Sequence, residues 1–419
     1  MEPLKSRAPQ IPLMEKRWAF PMVLCWILCA VLLLSTFNKP ITSITITTLF
    51  SSPPPPLILS NLSSPPPPSP SIPRFAYLIS GSKGDLEKLW RTLHAVYHPR
   101  NVYVLHLDLK APAMERKELE KKVEMNQLFK MVMNVHVIRK ANMVTYKGPT
   151  MMANTLHACA VLLKKSKDWD WFINLSASDY PLVTQDDLLH TFSSLPRNLS
   201  FLEYFSNLGW KEDQRAKPLI IDPGLYKTKK TDVFWASQRR ELPTAFKLFT
   251  GSAWMVLSRE FVEYTIWGWD NLPRTLLMYY TNFVSSSEGY FQTLICNTPE
   301  FMHTVVNHDL HYISWDKPPK QHPRTLSVSD AVHMIDANVP FARKFISNDA
   351  VLDKIDDELL GGRRNESFVY GGWCEGSPVC TEVGDVLLLK PGFGAQRLGK
   401  LMDHLLVGNS GFVTGNQCK

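Results

Sequence analysis

The feature that most constrains this chain is an apolar stretch near its N-terminus. Residues 18–37 (WAFPMVLCWILCAVLLLSTF) contain no charged side chain. At about 1.5 Å per residue, a helix of this length is about 30 Å long, which is enough to cross the hydrocarbon core of a bilayer. Pro21 falls in the first turn, where its missing N–H group is tolerated. The stretch therefore predicts one transmembrane helix.

The charges that precede this stretch predict its orientation. Lys5, Arg7, Lys16 and Arg17 stand before it, and the positive-inside rule places such a segment in the cytosol. A cleaved signal peptide is the alternative, but its apolar region is normally shorter, roughly 7 to 15 residues, and ends at a small-residue cleavage site. We therefore predict a cytosolic tail over residues 1–17, followed by the signal anchor and a lumenal remainder.

A proline-rich segment separates the predicted anchor from the rest of the chain. Residues 38–73 include two runs of four prolines, at 53–56 and 65–68, among many serines and threonines. Such a composition favours extended polyproline II structure over a packed core. We predict a stem, which either carries O-linked sugars or is an unmodified linker, and one lumenal domain over residues 74–419.

The charge of the whole chain bears on the class of ligand that it binds. The formal net charge of +7 is modest and the basic residues are scattered rather than clustered in one run. Nucleic acid is therefore not the predicted partner. Scattered basic residues are better matched to a small anionic substrate.

Cysteines and glycosylation sequons fit a lumenal address. Cys374 and Cys380 flank a Gly-Ser-Pro loop, which suits a local disulfide in an oxidising compartment. A zinc site is the alternative, but no second close pair or histidine motif completes one. N-x-S/T sequons occur at Asn61, Asn174, Asn198 and Asn365. Because Asn174 lies in a buried-strand pattern, we expect glycosylation at the other three positions rather than there.

The lumenal domain opens with the pattern of an α/β nucleotide-binding unit. A β-rich run at 74–80 leads through a glycine loop into a helical pattern at 85–97 and a second strand at 101–108. Further strands are predicted at 135–138 and 171–175, with a helix between them at 148–165. In such units the carboxyl ends of the strands deliver side chains to a ligand crevice. The loop matches neither the G-x-G-x-x-G nor the Walker pattern, so a standard dinucleotide or ATP site is not predicted.

Several polar residues remain ambiguous from spacing alone. Asp108 and Asp179 each close a strand, where a carboxylate can accept hydrogen bonds from a nucleoside or bind a metal. Glu288 is either a favourable first-turn carboxylate or a general base. His303, His308 and His311 suggest a metal cluster, but no carboxylate or cysteine completes a familiar ligand pattern, so surface positions are favoured.

The assembled motifs resemble glycosyltransferase family 14, the core-2/I-branching N-acetylglucosaminyltransferases, and within it the plant β-glucuronosyltransferases that act on arabinogalactan proteins. The landmarks are FAYLISGSKGD, HLDLKA, FINLSASDYPL, GSAWMVLSREF, SSSEGYFQT and FARKF. The resemblance extends from residue 74 almost to the end, together with the anchor and stem. It implies a GT-A fold, in which helices flank a Rossmann-like mixed sheet, and an inverting transfer from a UDP-sugar by a type II Golgi membrane protein.

The same resemblance implies roles for individual residues. It places the catalytic base on Glu288, and Arg324 and Lys344 against the donor diphosphate, where most GT-A enzymes use a metal. Fixed cations can stabilise the leaving UDP as a divalent ion otherwise would. The implied donor-site residues are Ser80, Gly81, Ser82, Asp108, Tyr146 and Asp179. Glu203, Trp254 and Trp315 are acceptor candidates, because aromatic faces pack against sugar rings and carboxylates accept from hydroxyls.

A D-x-D sequence does occur, at Asp168-Trp169-Asp170, but it precedes the strand at 171–175, whereas the metal motif of GT-A enzymes follows that strand. We therefore expect no obligatory metal or other cofactor. The expected reaction transfers glucuronic acid from UDP-glucuronate in β linkage to galactan chains of arabinogalactan proteins. The alternatives are N-acetylglucosaminyl or xylosyl transfer and a non-catalytic lumenal lectin or scaffold; assembly with itself or with other Golgi transferases is left open.

Overall fold

The computed structural model describes residues 71–226, 230–318, 320, 322–363, 367–406 and 418. The predicted cytosolic tail, the transmembrane segment and the stem up to residue 70 lie outside the described residues. In the described part, no helix is both long enough and apolar enough to span a bilayer.

Strands and helices alternate along most of the described chain. The strands are β1 (Phe75–Gly81), β2 (Val102–Leu107), β3 (Val135–Val137), β4 (Trp171–Ser176), β5 (Asp179–Pro181), β6 (Ser200–Phe205), β7 (Pro218–Ile221), β8 (Phe234–Arg239), β9 (Thr250–Ser258), β10 (Val305–Val306), β11 (His311–Ile313), β12 (Phe341–Arg343), β13 (Cys374–Glu375) and β14 (Glu382–Val383). The α-helices are α1 (Leu86–Ala95), α2 (Ala113–Met125), α3 (Gln127–Val132), α4 (Thr150–Lys165), α5 (Gln185–Ser193), α6 (Arg259–Trp267), α7 (Leu272–Tyr280), α8 (Tyr290–Cys296), α9 (Ala331–Asp336), α10 (Ala350–Glu358) and α11 (Phe393–Leu406). Shorter turns are a π-helical segment (Glu212–Ala216) and two 3₁₀ segments (Ser286–Glu288 and Val328–Asp330).

A seven-stranded mixed sheet forms the centre of the domain, with the strand order β10-β6-β9-β4-β1-β2-β3. Strands β1, β2, β3 and β4 run parallel to their neighbours in this set, whereas β9 is antiparallel to both β4 and β6. The carboxyl ends of β1, β2 and β4 therefore meet at one edge of the sheet, where ligands bind in open α/β sheets.

Both faces of this sheet are covered by helices. Strand β1 (FAYLISG) is buried almost throughout, as expected for a parallel strand with helices on each side. Phe75, Tyr77 and Ile79 pack in a core with residues of α1 and α5. Ala76 and Leu78, which point to the opposite face, pack with residues of α4 and α6. The result is a three-layered α/β/α domain, which confirms the predicted α/β class.

A small second sheet adjoins the central one near its ligand-binding edge. Its order is β11-β12-β5, and β12 pairs antiparallel with β5 so that Arg343 lies opposite Asp179. Separate two-stranded pairs join β7 with β8 and β13 with β14. The second sheet brings residues from the last third of the chain to the ends of the parallel strands.

Candidate active site

The ends of β1 and β2 bring the first group of predicted donor residues together. Ser80 pairs in register with Ser176 of β4, and the N–H of Asp108 donates to the carbonyl of Gly81 at 3.0 Å. The Ser82 hydroxyl donates to Oδ1 of Asp108 at 2.9 Å. Burial raises the pKa of Asp108. A Cβ on Gly81 would lie 2.9 Å from Cβ of Asp85, so this close turn requires glycine.

Asp179 is buried behind the site rather than exposed to it, contrary to the expectation that it lines the donor site. Its carboxylate accepts from Nε of Arg343 at 2.9 Å and from the N–H of Ser176 at 2.6 Å, and its side chain is 0% exposed. Arg343, which sequence reasoning did not single out, lines the cleft instead. The Arg343 guanidinium lies 4.1 Å from the ring centroid of Trp254. Asp179 and Trp254 therefore fix the orientation of a cleft-lining cation.

Arg324 and Lys344 lie on neighbouring segments, although neither lines the cleft. The carbonyl of Lys344 accepts from the N–H of Leu326 at 2.9 Å, which aligns the two segments. The Nη atoms of Arg324 donate to both carboxylate oxygens of Asp330, at 2.5 and 3.0 Å, and one also donates to Ser314 at 3.0 Å. These hydrogen bonds with Asp330 raise the pKa of Arg324. The guanidinium is thus held in one orientation by a carboxylate.

Tyr146 lines the cleft, on a loop that a buried carboxylate holds in place. Asp222 accepts from the hydroxyls of Thr145 and Thr150 at 2.6 and 2.7 Å. The Tyr146 ring packs edge-on against His322, with centroids 4.9 Å apart. Burial lowers the pKa of His322, and the nearby positive charges lower it further. The cations concerned are Lys344, Arg343 and Lys147. A group of cations therefore lies near His322, whose ring packs against Tyr146.

The cleft itself has a volume of about 1160 Å³. Among its lining residues are five that the sequence predicted: Tyr146, Glu203, Trp254, Glu288 and Trp315. Lining residues that sequence reasoning missed include Lys147, Trp210, Lys211, Arg215, Trp235 and Arg343. A cavity of this size, with charged groups of both signs and several aromatic rings, can hold a charged donor and a sugar acceptor together.

Glu288 ends a 3₁₀ turn that its neighbours fix in place. The Ser286 hydroxyl donates to the carbonyls of Tyr280 and Phe283, each at 2.7 Å. A Cβ on Gly289 would lie 2.9 Å from the Tyr280 ring, which explains the glycine after the acid. Nη1 of Arg215 donates to Oε2 of Glu288. The carboxylate therefore enters the cleft with a defined orientation.

Arg215 reaches Glu288 from the π-helical segment that follows β6. Its guanidinium lies 5.2 Å from the ring centroid of Trp210, so an aromatic face and a carboxylate hold it on two sides. The sequence around Arg215 (EDQRA) contains no recognisable motif. Its contact with Glu288 joins residues that are 73 positions apart, so it depends on how the π-helical segment packs.

A second carboxylate, that of Glu203 on β6, shares the cleft with Glu288. Burial raises the pKa of Glu203 to about 6, and the negative charges of Asp309 and Glu288 act in the same direction. Lys211 opposes this shift, and its Nζ donates to the Thr250 hydroxyl at 3.1 Å. Glu203 therefore changes its protonation state in a mildly acidic range.

Three exposed tryptophans line the cleft around these carboxylates. Trp210, Trp235 and Trp315 are 58%, 52% and 46% exposed, an unusual fraction for such large apolar side chains. Trp254 is largely buried and packs against His311, with ring centroids 5.7 Å apart. Exposed aromatic faces of this kind suit the apolar faces of sugar rings.

The D-x-D motif lies apart from these features, whereas His308 and His311 line the cleft, and His311 is buried rather than at the surface as expected. Asp168 and Asp170 precede β4 and contact Arg74, which precedes β1, so the D-x-D stands at the opposite edge of the sheet from the ligand-binding ends. His311 stacks on Phe341. Within the residues that the structure describes, no three His, Cys, Asp or Glu side chains are arranged to hold a metal ion.

The predicted modification sites fall in different surroundings. Asn198 is exposed, whereas Asn174 is 3% exposed and its amide donates to Ala253 at 2.9 Å and accepts from Met255 at 2.9 Å. Asn61 and Asn365 lie outside the described residues. Disulfides join Cys374 with Cys380 and Cys296 with Cys418. The second pairing was not predicted, because its cysteines are 122 positions apart.

Comparison with known proteins identifies relatives over most of the domain. A family model described as Core-2/I-Branching enzyme matches residues 75–335. Beta-glucuronosyltransferase GlcAT14A of Arabidopsis thaliana is 61% identical over 355 residues, which cover 84% of this chain and 79% of that protein. Beta-glucuronosyltransferase GlcAT14B of the same plant is 62% identical over 338 residues, covering 80% and 78%.

More distant relatives carry other names. Xylosyltransferase oxt of Drosophila pseudoobscura pseudoobscura is 30% identical over 329 residues, which cover 72% of this chain and 35% of that protein. The family match and the two high identities agree with the resemblance read from the sequence motifs. The chain belongs to the Core-2/I-branching enzyme family of glycosyltransferases.

Proposed function

We propose that this enzyme transfers glucuronic acid from UDP-glucuronate, with inversion, to galactan chains of arabinogalactan proteins. The observation that carries the proposal is the 61% identity to a beta-glucuronosyltransferase in a chain whose cleft contains an oriented carboxylate, Glu288. In this proposal, the three-layered α/β/α domain is a catalytic domain with the GT-A fold. The predicted anchor and stem would present it to the Golgi lumen as a type II membrane protein.

In the proposed mechanism, Glu288 is the general base. It removes the proton of an acceptor hydroxyl while that oxygen forms a bond to the anomeric carbon of the donor. The bond from that carbon to the UDP oxygen breaks on the opposite face, so an α-linked donor gives a β-linked product. The hydrogen bond from Arg215 supports this role, since it orients the carboxylate before the acceptor binds.

The donor diphosphate, in our proposal, is bound without a metal. The positive charges of Lys147, Arg343 and Lys344 near His322, which packs against Tyr146, support this, because fixed cations can stabilise the charge that develops on the leaving UDP. Arg324, oriented by Asp330, would contribute from the segment beside Lys344. Ser80, Gly81, Ser82 and Asp108 would bind the nucleoside, and Asp179 would act through Arg343.

The acceptor would lie on the other side of Glu288, between Glu203, Trp254 and Trp315. These residues line the same cleft, and a carboxylate beside aromatic rings is a common arrangement for sugar hydroxyls and ring faces. Transfer of xylose is the second candidate, because the more distant relatives are named xylosyltransferases. The sequence identity that supports xylose transfer is much lower than the identity to the beta-glucuronosyltransferases.

The decisive experiment offers the purified full-length chain a panel of UDP-sugars with β-linked galactose oligomers as acceptors. We expect turnover with UDP-glucuronate that exceeds turnover with UDP-xylose and UDP-N-acetylglucosamine. Product anomeric configuration, read by NMR, should be β. Preference for UDP-xylose would replace the first candidate with the second, and hydrolysis without transfer to any oligomer would contradict the proposed acceptor.

A further inference from the structure

A second cavity adjoins the cleft and has no assigned role. It has a volume of about 600 Å³ and is lined by residues of the loop that follows β6. Trp210, Lys211 and Asn307 line both cavities, so the two spaces are adjacent. A ligand longer than the first cavity can therefore reach the second across these side chains.

The chemistry of the second cavity differs from that of the first. Among its described lining residues the one charged side chain is that of Lys211; the others offer amide, hydroxyl, aromatic and backbone groups. The first cavity, by contrast, contains Glu203, Glu288, Asp309, Lys147, Arg215 and Arg343. Charges of both signs suit a nucleotide sugar and its reaction. A nearly uncharged lining of amides and rings suits a neutral, hydroxyl-rich ligand.

Two exposed aromatic side chains line this second space. Trp210 is 58% exposed and Phe205 is 50% exposed, and both line the cavity. Exposed large apolar side chains of this kind indicate a binding surface when they lie together at a cavity. Two rings, one that lines both cavities and one that lines the second alone, suit successive units of an oligosaccharide.

The walls of the second cavity are held in place before any ligand binds. The Asn307 amide accepts from the N–H of Tyr204 at 2.8 Å and donates to its carbonyl at 3.0 Å. The Tyr204 hydroxyl accepts from the N–H of Cys418 at 3.1 Å, and Cys418 is bound to Cys296 of α8 by a disulfide. Such prior ordering lowers the entropic cost of binding.

We propose that the second cavity is an acceptor subsite that binds the sugar units next to the one that is glycosylated. This inference rests on the proposed function, since it places the acceptor hydroxyl beside Glu288 and the rest of the chain across Trp210. The ligand class is a neutral β-linked oligosaccharide of at least two or three units. The subsite would make the enzyme select an extended chain over a terminal disaccharide.

Phe205→Ala is the sharpest test, because Phe205 lines the second cavity and is not among the residues that line the first. Binding of galactose oligomers of increasing length to the full-length chain is measured by calorimetry without donor. We expect affinity to increase with length for the wild type. The variant should bind the longer oligomers about five- to tenfold more weakly, the range for one lost aromatic contact, and the disaccharide equally well.

Phe393→Ala is the matched control, since Phe393 is 82% exposed on α11 and lines neither cavity. It should leave binding of every oligomer unchanged. Equal loss of disaccharide and long-oligomer binding in Phe205→Ala, or affinity that does not depend on length, overturns the subsite. Because no donor is present, these results stand apart from the UDP-sugar panel, whose failure would contradict the proposed function instead.

Discussion

Nη1 of Arg215, in the π-helical segment that follows β6, donates a hydrogen bond to Oε2 of Glu288. If Glu288 is the general base, this contact sets the direction of its carboxylate. Arg215→Met should then lower kcat by about ten- to a hundredfold, since a displaced catalytic group is costly. Arg215→Lys, which retains a donor, should recover part of the loss.

The comparison of the two Arg215 variants separates orientation from folding. Steady-state kinetics with saturating donor gives kcat, and thermal unfolding reports whether the segment still packs. Unchanged kcat in Arg215→Met would mean that the contact belongs to the resting enzyme alone.

Glu288→Gln tests the base directly. The amide keeps the size of the side chain but cannot accept the proton, so transfer should fall by about 10²- to 10⁴-fold. Binding of UDP should persist, because the cations proposed for the diphosphate are other residues. The measurements are initial rates and UDP titration by calorimetry; a variant with wild-type turnover would exclude Glu288 as the base.

The sequence predicted the α/β core because the local pattern of apolar residues determines where its strands and helices form. Strand β1 is a continuous apolar run, and the helical periodicity of α1 begins after a glycine loop, so neighbouring residues contain the information. The parallel pairing then brings Ser82 and Asp108 together, as strand ends predict. These features depend on short stretches of chain.

The rest of the site depends on contacts between distant segments. Arg215 contacts Glu288 from a π-helical segment, and the hydrophobic periodicity of the sequence does not predict that segment. The motif FARKF drew attention to Lys344, whereas the cross-strand pairing of β12 with β5 selects Arg343 as the partner of Asp179. Trp210 and Trp235 contribute to the cleft only because loop packing leaves them exposed. The spacing of residues in the sequence does not predict contacts of this kind.

Glu203 should give the reaction a dependence on mildly acidic pH. Its pKa is raised to about 6 by burial and by neighbouring negative charge, so it protonates at higher pH than an exposed glutamate. Below about pH 6 it can no longer serve as a charged acceptor for sugar hydroxyls. We expect kcat/KM for the acceptor to fall there, and Glu203→Gln to remove that limb of the profile. If the decrease in kcat/KM at acidic pH is unchanged in Glu203→Gln, another group causes it.

Activity should survive chelation. The proposed diphosphate site relies on Lys147, Arg343 and Lys344 near His322, and fixed cations need no exchangeable ion. We expect initial rates in EDTA to match those in Mn²⁺ within about twofold. Loss of activity in EDTA that Mn²⁺ restores would refute metal independence. The carboxylates at the ends of the parallel strands would then have to be considered as metal ligands.

Asp179→Asn should destabilise the domain strongly. The Asp179 and Arg343 side chains are 0% and 11% exposed, so removing the negative charge leaves a buried guanidinium without its counter-ion. Such a change costs about 3 to 5 kcal/mol in the free energy of unfolding. Asp168→Asn is the matched control, since the Asp168 side chain is 73% exposed in its contact with Arg74, and it should cost less than about 1 kcal/mol.

Urea denaturation of the wild type, Asp179→Asn, Arg343→Met and the double variant Asp179→Asn/Arg343→Met measures the coupling free energy between the two side chains. If the cost comes from the unpaired cation, removing Arg343 as well should restore part of the stability lost in Asp179→Asn. Recovery should be incomplete, because the carboxylate also accepts from the N–H of Ser176 and the guanidinium packs over Trp254. Strictly additive losses would show that the two residues stabilise the domain independently, and Asp179 would then have no role in orienting the cleft-lining cation.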